Sequence, residues 1–144
     1  MTSIVTVLQW LIRFLALLQL TLGVLFWTGN AFTLIPAHML SGLLLVLSIW
    51  VQAGLALRTG VHFGLPALAF AWGVLVIALG VNQDSLLTGD LHWLIKVLHV
   101  LVGAAAVGQA EGIARRTLSR QAERRTTSDT AWSASEPRVR GAHR

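Results

Sequence analysis

The sequence contains no cysteine, and only 12% of its 144 residues are charged. The absence of cysteine excludes disulfides, thiolate metal sites, iron–sulfur clusters and haem attached through a Cys-x-x-Cys-His segment. Any cofactor must therefore be held by histidine or by weaker ligands. The scarcity of charge distinguishes the chain from an ordinary soluble domain, in which about a quarter of the residues are charged.

Apolar residues make up 55% of the chain and fall into four long blocks. In each block they continue around every side of the helix that the block would form, so these helices must be buried in protein or in lipid. Because the chain is too short to bury four such helices in one another, lipid must cover the rest. Each block is close to the roughly 20 residues that cross the hydrocarbon core as a helix. The predicted spans are residues 4–27, 37–57, 64–81 and 91–111.

The four blocks predict an all-α fold, an integral membrane four-helix bundle of up-down-up-down topology that occupies residues 1–112. A cleaved signal peptide is the alternative for the first block, but that block lacks a basic start and exceeds the usual apolar region of about 7 to 15 residues. Residues 113–144 are expected to form a basic tail. Its first part, 113–125, can extend the fourth helix, whereas 126–144 contains too few apolar side chains to fold.

The basic residues predict the orientation of the bundle. Arginines follow the second and fourth spans, beginning with Arg58 and Arg115, whereas the first and third connections contain no Lys or Arg and the third contains Asp84 and Asp90. Because Lys and Arg near span ends stay on the cytoplasmic side, both termini are expected in the cytoplasm, at a bacterial-type plasma membrane. The net charge of +5 therefore belongs to the membrane flanks, and no nucleic-acid partner is indicated.

Ionisable side chains inside a membrane span are costly unless they are paired or solvated, so each one is a functional candidate. The predicted spans contain Arg13, His38, His92, Lys96 and His99, with Glu111 as the last residue of the fourth span. Near the predicted inner side, Arg13 of the first span and Glu111 of the fourth either form a pair or reach cytoplasmic water. The histidines and Lys96 all fall in the predicted outer half.

A short internal repeat, His-x-Leu-x-Gly, begins at His38 in the second span and at His99 in the fourth. In a helix the glycine four residues on, Gly42 or Gly103, lies on the same face as the histidine and leaves a flat recess beside the imidazole. A planar macrocycle coordinated by that imidazole needs such a recess. Two inward-facing histidines on different helices therefore predict a six-coordinate haem b, with His38 and His99 as the iron ligands.

Two further residues of the fourth span are candidates for the same site. Lys96 lies one turn before His99 and is expected to pair with a haem propionate or to extend to the outer interface. His92 is an alternative to His99 as the partner of His38, and depth along the helices does not decide between the two. Its other possible roles are an outer-surface residue, a proton carrier or a propionate partner. The glycine that follows His99 favours His99 as the ligand. Interhelical hydrogen bonding is the alternative role for these histidines, and metal or proton handling is a third.

With these residues the chain resembles the small four-helix membrane cytochromes of the b561 type and the four-helix halves of haem A synthases. The resemblance covers residues 4–112 and rests on His38, Gly42, His99 and Gly103. It implies a membrane cytochrome or oxidoreductase with one haem b near the outer face, which exchanges electrons between quinone in the membrane and a partner outside. Carriage or delivery of haem is a variant that uses the same site.

The rival hypothesis is a non-haem structural or accessory subunit with four spans, in which histidines pack helices together and the tail binds partners. The segment 13–29, with Gly23, is similar to the start of DoxX-type four-helix membrane proteins. Transport is less favoured, because no span is broken by a central Pro or a Gly pair. Small residues of the fourth span, Gly103 among them, are suited to close packing against a second copy or within a larger membrane complex.

Overall fold

The computed structural model describes residues 2–135, with side chains described for residues 3–132. In this part of the chain there is no strand, and four long helices account for most of it: α1 (Thr2–Trp27), α2 (Ile35–Arg58), α3 (Gly64–Asn82) and α4 (His92–Ser135). All four are long and apolar enough to cross a membrane. The all-helical class and the four predicted blocks are therefore confirmed, and the predicted span limits agree with the helix limits within two residues, except at the end of α4.

The helices carry their large apolar side chains on the outside of the bundle. On α1, Trp10, Phe14 and Leu17 are each about two-thirds exposed, whereas Gln9 is 7% exposed. On α2 the amide of Gln52 is almost fully buried. A soluble protein rarely exposes contiguous apolar surface on this scale, because water makes such exposure unfavourable. The surface is suited to lipid, with the polar side chains turned toward one another inside.

The four helices form a closed bundle in which consecutive helices pack against each other and α4 returns to α1. The helices α2 and α4 also touch across the diagonal. Small buried side chains, including Ala53 and Ala56 on α2 and Ala106 and Ala110 on α4, leave room for this close approach. Since α2 and α4 carry His38 and His99, the diagonal contact is what brings these residues toward a common site.

The two ends of the bundle differ in charge. The basic end holds the start of α1, the α2–α3 connection after Arg58 and the arginine-rich part of α4, whereas the acidic end holds the other two connections, with Asp84 and Asp90 in the second of these. The buried apolar cluster lies toward the basic end, and α3 has no buried residue after Gly73. The cluster comprises Ile12, Leu15, Leu45, Ile49, Ala53, Ala56, Val61, Ala69, Ala106, Ala110 and Ile113.

Three consecutive residues of α4, the 109–111 junction, bond to the three other helices. The Gln109 side chain donates to the Leu65 carbonyl of α3. The Ala110 carbonyl accepts from Gln52 of α2, and the Glu111 carboxylate accepts from Arg13 of α1. Successive residues of an α-helix point about 100° apart, so three in a row can face three neighbours. The junction therefore fixes the register of α4 against the whole bundle near the basic end.

The fourth helix continues well past the predicted span. Residues 113–125 are helical as expected, but the segment 126–135, which was expected to be unfolded, continues the helix to Ser135. Low apolar content leaves the described side chains of this segment, residues 126–132, exposed. It does not prevent a helix, because the backbone bonds are local and the hydroxyls of Thr126, Thr127 and Thr130 bond to carbonyls four residues back. The rest of the predicted tail, 136–144, lies outside the described residues.

Candidate functional site

His38 and His99 lie in the half of the bundle nearer the acidic end, on the two helices that touch across the diagonal. Both are half-buried, and their imidazoles are close enough to interact electrostatically. In each ring Nδ1 is buried and has no hydrogen-bond partner. Because buried polar atoms in folded proteins are nearly always paired, two unpartnered imidazole nitrogens in one region indicate a place where a ligand can be accepted.

Aromatic side chains close one side of His38. The ring of Phe26, near the end of α1, meets the His38 imidazole edge to face with 5.3 Å between ring centroids. Phe26 in turn stacks on Phe32 at 6.4 Å. Water is therefore kept from this side of the imidazole by apolar groups of α1 and of the α1–α2 connection.

The position of His99 depends on Gly80 of α3. A Cβ atom at Gly80 would lie 3.2 Å from Cε1 of His99, which is closer than nearly all real contacts of that kind. The missing side chain therefore makes the space that the imidazole uses. Sequence reasoning overlooked Gly80, because it paired each histidine with a glycine on its own helix, and no spacing along the chain reveals a contact between two helices.

The two glycines of the repeat do not form matching recesses. A Cβ at Gly42 would lie 2.9 Å from Nε2 of Gln19, so the Gln19 amide already fills that space. The same amide donates to the His38 carbonyl at 2.7 Å and to Oγ of Ser41 at 2.9 Å. Gly103 has no atom within 4 Å of its Cβ position, apart from its own helix. Gln19 therefore fills the recess predicted at Gly42, whereas the space beside Gly103 is open, so the two repeats have different surroundings.

Lys96 and His92 occupy the first turns of α4. Lys96 is half-buried and lies one turn from His99 toward the acidic end, as its spacing predicted. His92 is the first residue of the helix, roughly 10 Å along the axis from His99. Its Nδ1 lies 3.3 Å from the carbonyl oxygen of Leu86 in the α3–α4 connection. This contact ties the α3–α4 connection to the first turn of α4.

Arg13 and Glu111 form the interhelical pair that was one of the two expectations for them. Nε and Nη2 of Arg13 donate to the two carboxylate oxygens at 2.7 and 2.9 Å. The guanidinium also lies over Trp10, 5.2 Å from the ring centroid. The pair is partly exposed, since 47% of the Arg13 side chain is accessible. The two side chains are therefore paired through a bidentate bond and are also accessible to solvent. It belongs to the 109–111 junction and lies far from the histidines.

Among residues 3–132 there is no group of three or more His, Cys, Asp or Glu side chains placed to hold a bare metal ion. Comparison with protein-family models, with curated proteins and with solved structures finds no match. The resemblance to membrane cytochromes therefore stays a prediction. What the site offers is two imidazoles from different helices, in an apolar setting and without carboxylates, a donor set that fits the axial ligands of a haem b better than it fits a hydrolytic or hard-metal centre.

Proposed function

We propose that this chain is a membrane protein that binds one haem b between α2 and α4 and transfers electrons between the quinone pool and a partner at the outer face. The observation that carries the proposal is the pair of unpartnered, buried Nδ1 atoms of His38 and His99. Leaving a buried polar atom without a partner costs about 1–3 kcal/mol, and a ligand shared by both rings removes that cost.

In this proposal His38 and His99 hold the haem iron, and Lys96 is near enough to His99 along α4 to pair with a propionate. Bound haem supplies a one-electron redox centre. The chain's own contribution is to orient the imidazoles and keep them dry: Phe26 packs on one ring, and Gly80 admits the other. The recess assigned to Gly42 is not part of this arrangement, since Gln19 occupies it.

The hydrogen bonds between helices support a ligand role for His38 and His99 over a packing role. Glutamines supply these bonds: Gln19 joins α1 to α2, Gln52 joins α2 to α4, and Gln109 joins α4 to α3. A packing role for the histidines requires bonds of the same kind from their rings. At Nδ1 neither ring has one.

The second candidate is a non-haem accessory subunit with four spans, and one observation favours it. The Gln19 amide closes the α1–α2 side of the site by bonding both to the His38 backbone and to Ser41. In that case the bundle serves chiefly as a rigid element of a homo-oligomer or a larger membrane complex.

For localisation we propose a bacterial-type plasma membrane, with both termini in the cytoplasm. The support is the distribution of charge: the basic end holds the arginines that follow α2 and that lie along α4, and the connections at the acidic end contain no Lys or Arg. This orientation places the two histidines in the outer half.

A visible spectrum tests the haem proposal directly. The full chain is expressed with ample haem, purified in detergent and measured as a reduced-minus-oxidised difference spectrum. We expect an α-band typical of b-type cytochromes in the wild type and its loss in both His38→Ala and His99→Ala, because each variant removes one of two axial ligands.

His92→Ala and His62→Ala serve as matched controls, and both are expected to keep the band. A colourless wild-type protein contradicts haem binding and favours the accessory subunit. If His92→Ala loses the band and His99→Ala keeps it, the ligand is His92 and not His99. The proposal that the chain is a haem protein is then unaffected.

A further inference from the structure

A cleft of about 370 Å³ lies at the basic end, between the α2–α3 connection and α4. Arg116 and Arg120, one turn apart on α4, form its charged wall together with Ser119. No carboxylate lines the cleft, and neither arginine is paired with an acidic side chain among the described residues. Two guanidinium groups that face one space are a donor set that binds a phosphate group.

His62 adds a donor on the opposite wall, and its hydrogen bond fixes which nitrogen donates. Nδ1 of His62 accepts from the backbone N–H of Gly64 at 3.2 Å. When one nitrogen of a neutral imidazole accepts, the proton must be on the other. Nε2 therefore carries the hydrogen, and the ring offers an N–H donor without needing to be charged. Sequence reasoning did not single out His62, because this residue lies in a connection that water can reach.

The remaining walls are apolar and lie at the level where the helices leave the lipid. Val61 and Leu65 line the cleft, and Gly64 is the first residue of α3. One turn further along α3, Leu68 is 49% exposed on the outside of the bundle. A bound phosphate therefore has an apolar surface next to it that leads toward the hydrocarbon, which suits a molecule with an acyl chain and offers nothing to free inorganic phosphate.

We propose that this cleft is a binding site for the headgroup of an anionic phospholipid, whose phosphate is bound by Arg116, Arg120 and the Nε2–H of His62. The site depends on insertion of the bundle in a membrane and is independent of haem. It anchors the start of the helical extension of α4 at the membrane surface.

Native mass spectrometry of the full chain in mild detergent tests the site. Phosphatidylglycerol and phosphatidylcholine are titrated separately, and inorganic phosphate is titrated in a third, lipid-free arm with thermal stability as the readout. We expect one tightly retained phosphatidylglycerol, weak retention of phosphatidylcholine and no stabilisation by inorganic phosphate. Replacement of Arg116 and Arg120 by Gln is expected to weaken phosphatidylglycerol binding about fivefold for each arginine.

The matched control carries Arg115→Gln and Arg125→Gln, which remove the same charge from neighbouring positions that do not line the cleft. It is expected to bind within about twofold of wild type, as a specific site requires. Equal losses in the two double variants mean diffuse attraction and overturn the proposal. Thermal stabilisation of the wild type by inorganic phosphate that is lost in the Arg116 and Arg120 double variant overturns the lipid assignment.

Ser119→Phe keeps every charge and fills the cleft, so it separates a built site from general electrostatics and does not depend on how the arginine variants fold. We expect it to lose the retained lipid while its helicity and its monodispersity stay at wild-type values. Full lipid retention by Ser119→Phe contradicts the proposal.

Discussion

At the scale of single residues, the chemistry of this bundle depends on contacts that the chain order hides. His38 and His99 could be selected from the sequence, because an imidazole inside an apolar block is costly without a purpose. Gly80 could not be selected, since its importance lies in a 3.2 Å approach to a ring on another helix. Gln19 was equally hidden: its amide fills the space that the sequence assigned to Gly42.

Gly80→Val tests the role of the space beside His99. The added side chain overlaps the imidazole, so we expect loss of about 1–3 kcal/mol of stability and, in the haem-loaded protein, a reduced or shifted α-band. The measurements are thermal unfolding in detergent and the visible spectrum. Gly108→Val is the control, because nothing lies within 4 Å of a Cβ at that position. Equal effects of the two substitutions contradict the assignment of Gly80 as the residue that admits His99.

At the scale of helices, α2 and α3 approach closely through Gly73. A Cβ at Gly73 would clash with Nε1 of Trp50 and lie 2.8 Å from Cγ1 of Val46. The same indole packs against Phe70, with 5.5 Å between ring centroids. The absence of one side chain therefore sets the separation of these two helices.

Gly73→Ala is expected to destabilise the bundle by about 1–3 kcal/mol, because the methyl group forces Trp50 out of its rotamer or the helices apart. Gly54→Ala, whose Cβ meets nothing within 4 Å, is the matched control and is expected to be neutral or slightly stabilising. Both are measured by thermal unfolding of the purified protein. A neutral Gly73→Ala would mean that α2 and α3 are not held at this distance.

The length of α4 is also a property of one element. A continuous helix places the Cα atoms of residues 115 and 131 about 24 Å apart, at 1.5 Å per residue. Spin labels on Arg115→Cys and Ala131→Cys in one chain are therefore expected to give a narrow distance distribution near that value. A broad distribution, as an unfolded segment produces, contradicts the helix beyond Arg125. Because the chain has no native cysteine, the two labels are the only ones.

At the scale of the whole molecule, the sequence predicts the number and limits of the helices well and their mutual arrangement poorly. The length and composition of the apolar blocks suffice to predict the helices themselves, because a helix needs about 20 apolar residues to cross the hydrocarbon core. The arrangement depends on which side chains meet, as in the contact of α2 with α4 and in the bonds of Gln52 and Gln109 to backbone carbonyls. Glutamine is compatible with many positions in a helix, so its partner cannot be read from its place in the chain.

Orientation can be measured across the whole molecule with single cysteines. In intact cells we expect Asn30→Cys and Thr88→Cys to react with a membrane-impermeant maleimide, and Ser128→Cys to react only after permeabilisation, because the arginine-rich end stays in the cytoplasm. All three positions are exposed. The reverse pattern places both termini outside and moves the two histidines to the inner half. Labelling of Ser128→Cys and Asn30→Cys from the same side contradicts the three crossings by α2, α3 and α4, which lie between these two positions.

The concentration of buried side chains and interhelical bonds at the basic end has a consequence for how a ligand enters. The 109–111 junction and the core around Ile12 and Ile49 lie away from the acidic ends of the helices, so they do not depend on contacts made there. In the proposed function, haem would enter from the bilayer at the acidic end, on the side away from Gln19. Its rate of uptake would follow the fluidity of the surrounding lipid.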